Sequence, residues 1–373
     1  MHRESQSRLA RGSWKKVITE GLYRSGALRV IHGLSQRYEL RPSLGRGTRP
    51  HRVSRAKYVV LTYHRVGTEG VPLYCTLPRH MFAEQMAYLA RHFRVISIQQ
   101  MVEEMRDPDR VGQAVAITFD DGYVGTYSEA FPVLRDYGLP ATLYLTAGAV
   151  ESGEALWYDR IFLQFQKAGS QLHVSLDVPR TYCLRGFEDR INAAAEVVGY
   201  LRTLPDDERQ RWCTEFDAAV PLGESEVRGA MMSWEQARIM QRGGISFGAH
   251  TMTHPVVSRL SSGALIDELK GSKALIEEKL DSAVDHFAFP FGKASECGVQ
   301  ASQILPALGY QTAMTSIAGI NEYGCDLFRL RRLGVGNSCS IAYFALQLHR
   351  LLLFPADEEL SAPVPADGRK MLG

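Results

Sequence analysis

The sequence lacks the features that mark secreted, disulfide-bonded or membrane-spanning proteins. Its six cysteines are scattered and form no C-x-x-C pair, which fits a reducing compartment and argues against a cysteine-ligated metal site. No stretch approaches the roughly 20 apolar residues that cross a bilayer. The first thirty residues hold no long apolar core behind their positive charges, so no secretory signal is indicated. We expect a soluble protein on the cytoplasmic side.

The net charge is also small, at +2 over 373 residues, but it is unevenly distributed. Residues 1–57 hold 14 Lys and Arg against three acidic residues. Apolar residues at helical spacing within residues 13–37 predict a basic amphipathic helix. Such a helix either associates peripherally with an anionic membrane face, here the inner membrane face, or packs on the protein with its basic side in solvent. We predict a leader and linker over residues 1–56 and a flexible tail over residues 356–373.

The central part, residues 57–355, shows an alternation of short apolar runs and helical patterns. This rhythm is typical of α/β proteins with parallel strands, either a barrel or a doubly wound sheet. Residues 151–232 interrupt the alternation, and we interpret them as an insertion beside the active face. The predicted strands cover residues 58–62, 93–98, 115–117, 141–146, 245–249, 287–292, 311–315 and 329–335.

Two adjacent carboxylates, Asp120 and Asp121, follow the most apolar of these runs and precede Gly122. Paired carboxylates at the end of a buried strand can hold a metal beside a base. The alternative is a turn in which one aspartate caps the next helix. This stretch alone does not separate the two interpretations.

Histidines end two other predicted strands. His250 and His254 are spaced so that both imidazoles can reach one ion, and His64 follows the first strand. Two histidines and one carboxylate, with positions left open, form a ligand set of the catalytic type. The second aspartate would then be available as a base on a bound water.

These motifs resemble those of a known family. T-F-D-D-G at residues 118–122 and H-T-M-T-H at residues 250–254 resemble the first two motifs of NodB-like polysaccharide deacetylases, carbohydrate esterase family four. Residues 287–292 resemble a relaxed third motif. Y-H-R-V at residues 63–66 resembles the subgroup associated with bacterial exopolysaccharide clusters. The resemblance covers about residues 57–150 and 232–340.

The resemblance implies a distorted (β/α) barrel fold. It also implies an enzyme that hydrolyses N- or O-acetyl groups of an acetylated glycan with a divalent metal, zinc in the first instance, with cobalt, manganese or nickel as alternatives. It implies metal binding by Asp121, His250 and His254. Asp120 would be the general base, and the backbone N–H of Tyr123 would stabilise the oxyanion. An amide carbonyl is a poor electrophile, so polarisation by a metal and removal of a proton from water suit this reaction.

The sequence departs from the family pattern in three places. Ala288 stands where the third motif has an arginine that orients the base, and no fourth-motif Asp-Trp pair is evident. Arg332 could supply part of that role. For the general acid, His64 competes with His349, which resembles the fifth motif but falls in a predicted amphipathic helix, where a surface position is expected. The alternative for His64 is a buried histidine bonded to a loop carbonyl.

The leading hypothesis is therefore a metal-dependent polysaccharide deacetylase acting on a bacterial polysaccharide or its precursor. The relaxed motifs leave open a catalytically silent carbohydrate-binding member of a synthesis or export assembly. Phosphoryl transfer is disfavoured because no phosphate-binding glycine-rich loop and no second aspartate two residues after Asp120 are present. Nucleic-acid binding is not expected, because only the leader is basic and no aromatic-basic platform accompanies it.

Overall fold

A parallel sheet of seven strands forms the centre of the computed structural model, which describes residues 55–67, 76–174, 179–336 and 340–353. The predicted amphipathic helix at residues 13–37 and the predicted tail lie outside these residues. The strands in chain order are β1 (Lys57–Tyr63), β2 (Arg65–Gly67), β3 (Thr76–Pro78), β4 (Gln113–Phe119), β5 (Ala141–Leu145), β6 (Gln171–Val174), β7 (Arg180–Cys183), β8 (Ile245–Ala249), β9 (His286–Ala288), β10 (Thr312–Met314) and β11 (Leu333–Gly334).

Helices cover the sheet and follow most of its strands. They are α1 (Arg79–His92), α2 (Ile98–Glu104), a π-helical turn (Thr126–Ala130), α3 (Phe131–Asp136), α4 (Ala147–Ser152), α5 (Trp157–Lys167), α6 (Phe187–Leu201), α7 (Asp206–Ala219), α8 (Glu224–Val227), α9 (Trp234–Arg242), a 3-10 turn (Val257–Arg259), α10 (Ser262–Leu280), α11 (Ala294–Cys297), α12 (Val299–Ala307) and α13 (Ile341–Leu353). None of the described helices is long and apolar enough to cross a membrane.

The sheet has the order β10-β9-β8-β5-β4-β1-β11, and its pairings are all parallel. One segment joins its two ends. Leu330 bridges Met314 of β10, and three residues later Leu333 and Gly334 pair with Leu61 and Thr62 of β1. The result is the curled, distorted (β/α) barrel that the sequence predicts.

The strands are apolar on both faces because each face is covered. Every residue of β4 is buried, as is usual for a parallel strand between a helical layer and a barrel interior. Alternate residues separate into two clusters. Val115 and Ile117 pack in the larger cluster, which includes residues of α1, α3, α9 and α10, whereas Ala114 and Ala116 pack with Tyr58 in the smaller one. The small side chains leave room for polar groups inside the barrel.

The predicted insertion, residues 151–232, is built from helices and the antiparallel β6–β7 hairpin. It has its own apolar cluster, which includes Trp157, Phe165, Trp212 and Phe216. The charged pattern around residues 190–216 of the sequence predicts one helix, which is wrong: two helices, α6 and α7, are present because Pro205 stands at the start of α7. The strand predicted over residues 93–98 is reduced to one bridge, between Val95 and Val115.

Gly248, next to the strand end that carries His250, permits a close approach inside the barrel. A Cβ atom there would meet the Tyr144 ring at 2.5 Å and the backbone oxygen of His286 at 2.7 Å. We predict that Gly248→Ala lowers the free energy of unfolding by about 1–3 kcal/mol through overpacking. Urea unfolding measures this. The control is Gly263→Ala in α10, where a Cβ meets nothing within 4 Å, and which should leave stability unchanged or raise it by up to about 1 kcal/mol. Equal effects of the two changes would contradict the prediction.

Candidate active site

The carboxyl ends of β1, β4 and β8 bring together the polar residues singled out in the sequence. His64 follows β1, Asp120 and Asp121 follow β4, and His250 follows β8. In a parallel barrel these ends lie on the same face, which is where catalytic groups of such folds are found. Residues more than 180 positions apart along the chain therefore converge on one site.

Asp121, His250 and His254 form one buried group. Oδ1 of Asp121 lies 3.5 Å from Nε2 of His250 and 3.3 Å from Nε2 of His254. One ligand atom from each residue lies within 4.8 Å of the others. The side chains are 1–4% exposed, so the group is shielded from bulk water.

The hydrogen bonds of this group fit a cation. Nδ1 of His250 lies 2.7 Å from the carbonyl oxygen of Ala288, which can only accept, so Nδ1 carries the proton and Nε2 presents a lone pair. Burial, partly offset by the charge of Asp120, lowers the pKa of His250 to about 4, so the ring is neutral at pH 7. Oδ1 of Asp121 is buried and accepts no hydrogen bond from the described residues. The lone pairs of His250 Nε2 and Asp121 Oδ1 thus face each other without a proton between them, and a divalent metal would bind both.

The loops that carry these ligands are held in uncommon backbone conformations. Asp121, Thr251 and His254 have φ angles of 77°, 70° and 59°, in the left-handed region that side chains rarely adopt. Hydrogen bonds to nearby groups stabilise these conformations. The N–H of Thr146 donates to the backbone carbonyl oxygen of Asp121, and the N–H of His254 donates to Oγ1 of Thr251. Strained conformations of this kind cluster at functional sites.

Asp120 is bound by Arg332 from the far end of the chain. Nη1 and Nη2 of Arg332 each donate to one carboxylate oxygen of Asp120 over 2.7 Å. Both side chains are buried. Burial alone would raise the pKa of Asp120, but the charge and hydrogen bonds of Arg332, together with His250 and His64, outweigh it and hold that pKa below its ordinary value. Arg332 thus keeps Asp120 ionised and orients it, which is the part suggested for Arg332 by the sequence, whereas the role of Asp120 as general base stays a prediction.

His64 lies at the open side of the site. Its Nε2 is 3.9 Å from Oδ2 of Asp120, and its side chain is 46% exposed. The alternative of a buried histidine bonded to a loop carbonyl is therefore wrong. The position lets His64 meet both solvent and a ligand above Asp120, whereas its role as general acid stays a prediction.

Tyr123 makes separate contacts through its backbone and its side chain. Its backbone forms an antiparallel bridge with Met231. The two hydrogen bonds of this bridge come from the neighbouring residues: the N–H of Met232 donates to the carbonyl oxygen of Gly122, and the N–H of Val124 donates to that of Ala230. The bridge itself does not use the Tyr123 N–H, and no backbone oxygen among the described residues accepts a hydrogen bond from it, while its role as oxyanion donor stays a prediction. Its side chain is buried and reaches towards the insertion.

The insertion supplies residues that the sequence reasoning did not single out. The hydroxyl of Tyr158 donates to Oδ2 of Asp121 over 3.3 Å and lies 2.9 Å from the hydroxyl of Tyr123. Tyr123 in turn donates to Asp159 over 2.8 Å, and Asp159 also binds Arg65, whose guanidinium lies 3.8 Å from the centre of the Tyr123 ring. The sequence offered one signal for these contacts. An aspartate follows two aromatic residues at the start of α5, and an acid that is buried among aromatic residues requires a polar partner.

A second contact joins the insertion to the histidine loop. The indole Nε1 of Trp157 donates to the carbonyl oxygen of His254 over 2.9 Å. The rings of Tyr158 and His254 meet edge to face with centres 5.1 Å apart. The first turn of α5 therefore forms a wall of the site.

His349 is not a surface residue, which corrects the expectation from the sequence. It is buried between α13 and α1, with Nε2 2.8 Å from the hydroxyl of Tyr88 and its ring 5.6 Å from that of Phe93. The apolar face of α13 is wide enough to include it. The ring and hydrogen-bond partners named here lie in the helical layer, not at the strand ends.

Comparisons with known proteins agree with this geometry. The family model described as polysaccharide deacetylase matches residues 107–313, more than half of the chain. The chain belongs to the polysaccharide deacetylase family. This membership places it among enzymes that deacetylate polysaccharides.

Relatives of this deacetylase are distant in sequence. The chain is 21% identical over 300 residues to YxkH of Bacillus subtilis strain 168, whose name describes it as a polysaccharide deacetylase. The match covers 79% of this chain and 77% of YxkH. Two solved structures share the fold. They are the Streptococcus pyogenes deacetylase PplD in complex with acetate (TM-score 0.55, 18% identity, 79% of this chain and 99% of that one) and IcaB from Ammonifex degensii (TM-score 0.51, 21% identity, 78% and 99%).

The ion pair inside the barrel gives a stability prediction. Arg332→Gln leaves the carboxylate of Asp120 buried without its counter-charge and should lower the free energy of unfolding by about 3–5 kcal/mol. The double variant Asp120→Asn, Arg332→Gln removes both charges and should recover part of that loss. Urea unfolding of the wild type, both single variants and the double variant completes the cycle. Additive losses would show that the two side chains do not stabilise each other.

Proposed function

We propose that this chain is a metal-dependent hydrolase that removes N- or O-acetyl groups from a bacterial exopolysaccharide or its precursor and releases acetate. The observation that carries the proposal is the buried group of Asp121, His250 and His254 beside an ionised Asp120. A binding module has no need of a base held by a buried arginine next to a ligand set with open positions. The Arg332–Asp120 pair therefore favours an enzyme over a catalytically silent relative.

In this mechanism Asp121, His250 and His254 hold a divalent metal, zinc in the first instance. Once bound, the metal supplies Lewis acidity and a water of lowered pKa. Asp120 accepts a proton from the attacking water, and Arg332 keeps its carboxylate ionised and directed. The N–H of Tyr123 donates to the oxyanion that forms on the acetyl carbon. His64, at the exposed side, donates a proton to the leaving sugar nitrogen or oxygen.

Hydrogen bonds from neighbouring groups hold the three proposed metal ligands in place. The carbonyl of Ala288 selects the tautomer of His250, and the hydroxyl of Tyr158 orients the carboxylate of Asp121. Partners of this kind set the direction and basicity of metal ligands. Trp157 fixes the backbone at His254. The insertion is therefore assigned a part in the chemistry as well as in substrate choice.

Separate variants should distinguish the base from the ligands. Asp120→Asn can still accept a hydrogen bond from Arg332 but cannot take a proton, so acetate release should fall by a factor of about 10²–10⁴ while metal content is kept. His250→Ala should lose the metal itself. The measurements are acetate release from acetylated glycans with added zinc or cobalt and metal content by elemental analysis, with circular dichroism as the folding control. Full rate in Asp120→Asn would refute its role as base, and no acetate release by the fully metallated wild type from any acetylated glycan would refute the proposed function.

The proton donor can be tested by comparing the two candidate histidines. His64→Gln removes an exposed side chain and should lower kcat by a factor of about 10²–10⁴ with little change in stability. His349→Gln alters a buried hydrogen bond and should lower the melting temperature while leaving kcat nearly unchanged, measured where both variants are folded. The reverse pattern would assign the acid to His349.

A further inference from the structure

A cavity of about 280 Å³ lies beside the active site, where the insertion meets the loops after β8 and β9. The end of α6, the 3-10 turn and the start of α11 each contribute to its lining. The polar residues in this lining include Arg202, Thr203, Ser258, Arg259, Lys293 and Glu296. The cavity does not contain the groups assigned above to the hydrolysis.

The charges of this cavity are unbalanced. Oε1 of Glu296 binds Arg202, and its Oε2 accepts the backbone N–H of Lys293 over 3.1 Å, so both carboxylate oxygens are engaged. Arg259 and Lys293 are exposed, and neither has a carboxylate within ion-pair distance among the described residues. Three cations from three separate elements thus surround one neutralised acid.

The Phe291 ring links the cavity to the metal-ligand group, which consists of Asp121, His250 and His254. The guanidinium carbon of Arg202 lies 4.1 Å from the centre of the Phe291 ring, and that ring centre lies 4.7 Å from that of His254. Val256, two residues after His254, is also in the lining. The cavity is therefore close enough to these ligands for a sugar next to the deacetylated one to reach it.

A second cavity, of about 480 Å³, is lined in part by α5 and α7 and lacks this imbalance. Arg160 in its lining pairs with Glu154 and Asp217, and Arg209 pairs with Asp206. Since its cations are already neutralised, nothing in it selects for a charged group.

We propose that the smaller cavity binds an oxyanion, a carboxylate or a phosphate, carried by the glycan next to the sugar that is deacetylated. Arginine presents a planar fork that matches the two oxygens of either group, and lysine adds a second charge. This assignment rests on the proposed function and narrows it, because it makes the substrate an acidic glycan. Arg259 and Lys293 determine this preference, and Arg202 holds the wall that separates the cavity from His254.

The experiment compares three acetylated substrates of equal length: a neutral N-acetylglucosamine oligosaccharide, one that alternates with glucuronate, and one with a terminal phosphate. Wild type should show a higher kcat/KM for at least one acidic substrate, and the one preferred identifies the oxyanion. In the double variant Arg259→Gln, Lys293→Gln, the ratio of acidic to neutral kcat/KM should fall about tenfold. Arg259→Lys should retain most of the preference, and 0.5 M salt should weaken it. The control, Arg106→Gln, changes an exposed arginine on the segment between α2 and β4, which leads to the amino end of β4, whereas the site lies at the carboxyl ends of the strands.

A binding measurement separates this inference from the proposed function. Oligogalacturonate, an acidic glycan without acetyl groups, should bind the full-length protein in calorimetry, and about tenfold more weakly to the double variant. If no substrate releases acetate but this charge-dependent binding persists, the proposed function fails and the cavity assignment stands. If acetate is released with an unchanged ratio in the double variant, and oligogalacturonate binds both proteins equally, the cavity assignment is overturned and the proposed function stands.

Discussion

A carboxylate buried inside a barrel is unstable unless a cation is buried with it, and the contact between Asp120 and Arg332 meets that requirement. Leaving water disfavours both charges, and only close, bidentate pairing offsets the loss. The chain achieves it through the segment that closes the sheet: Leu330 pairs with β10, Leu333 pairs with β1, and Arg332 between them points into the interior. Closure of the fold and ionisation of Asp120 therefore depend on the same few residues.

The insertion acts as part of the site. Its first turn reaches the metal-ligand group through two side chains, Tyr158 towards Asp121 and Trp157 towards the carbonyl of His254. Behind them, Asp159 and Arg65 join the insertion to the end of β1. Because these contacts are wholly or partly buried, a change in the packing of α5 would shift the ligands. Sequence differences in residues 151–232 can thus alter the geometry of the site.

Much of the site could be predicted because parallel strands place their ends on one face. The positions of Asp120, Asp121, His250 and His64 followed from apolar runs that end in polar residues. The contacts of Tyr158 could not be predicted in this way, since the insertion has no strand rhythm and its orientation depends on tertiary packing. His349 shows the opposite error: its helix was predicted, but the periodicity did not reveal that the buried face extends to it.

The hydrogen bond from His250 to the carbonyl of Ala288 has a consequence for how distant relatives are recognised. The bond uses the backbone, so any side chain at position 288 can preserve it. The guanidinium that a third-motif arginine would contribute comes here from Arg332, 44 positions later in the chain. A relative that lacks the third-motif arginine can therefore still hold a guanidinium against the carboxylate that corresponds to Asp120. A search that also scores a buried arginine on the closing segment would separate such proteins from those that have no guanidinium at this place.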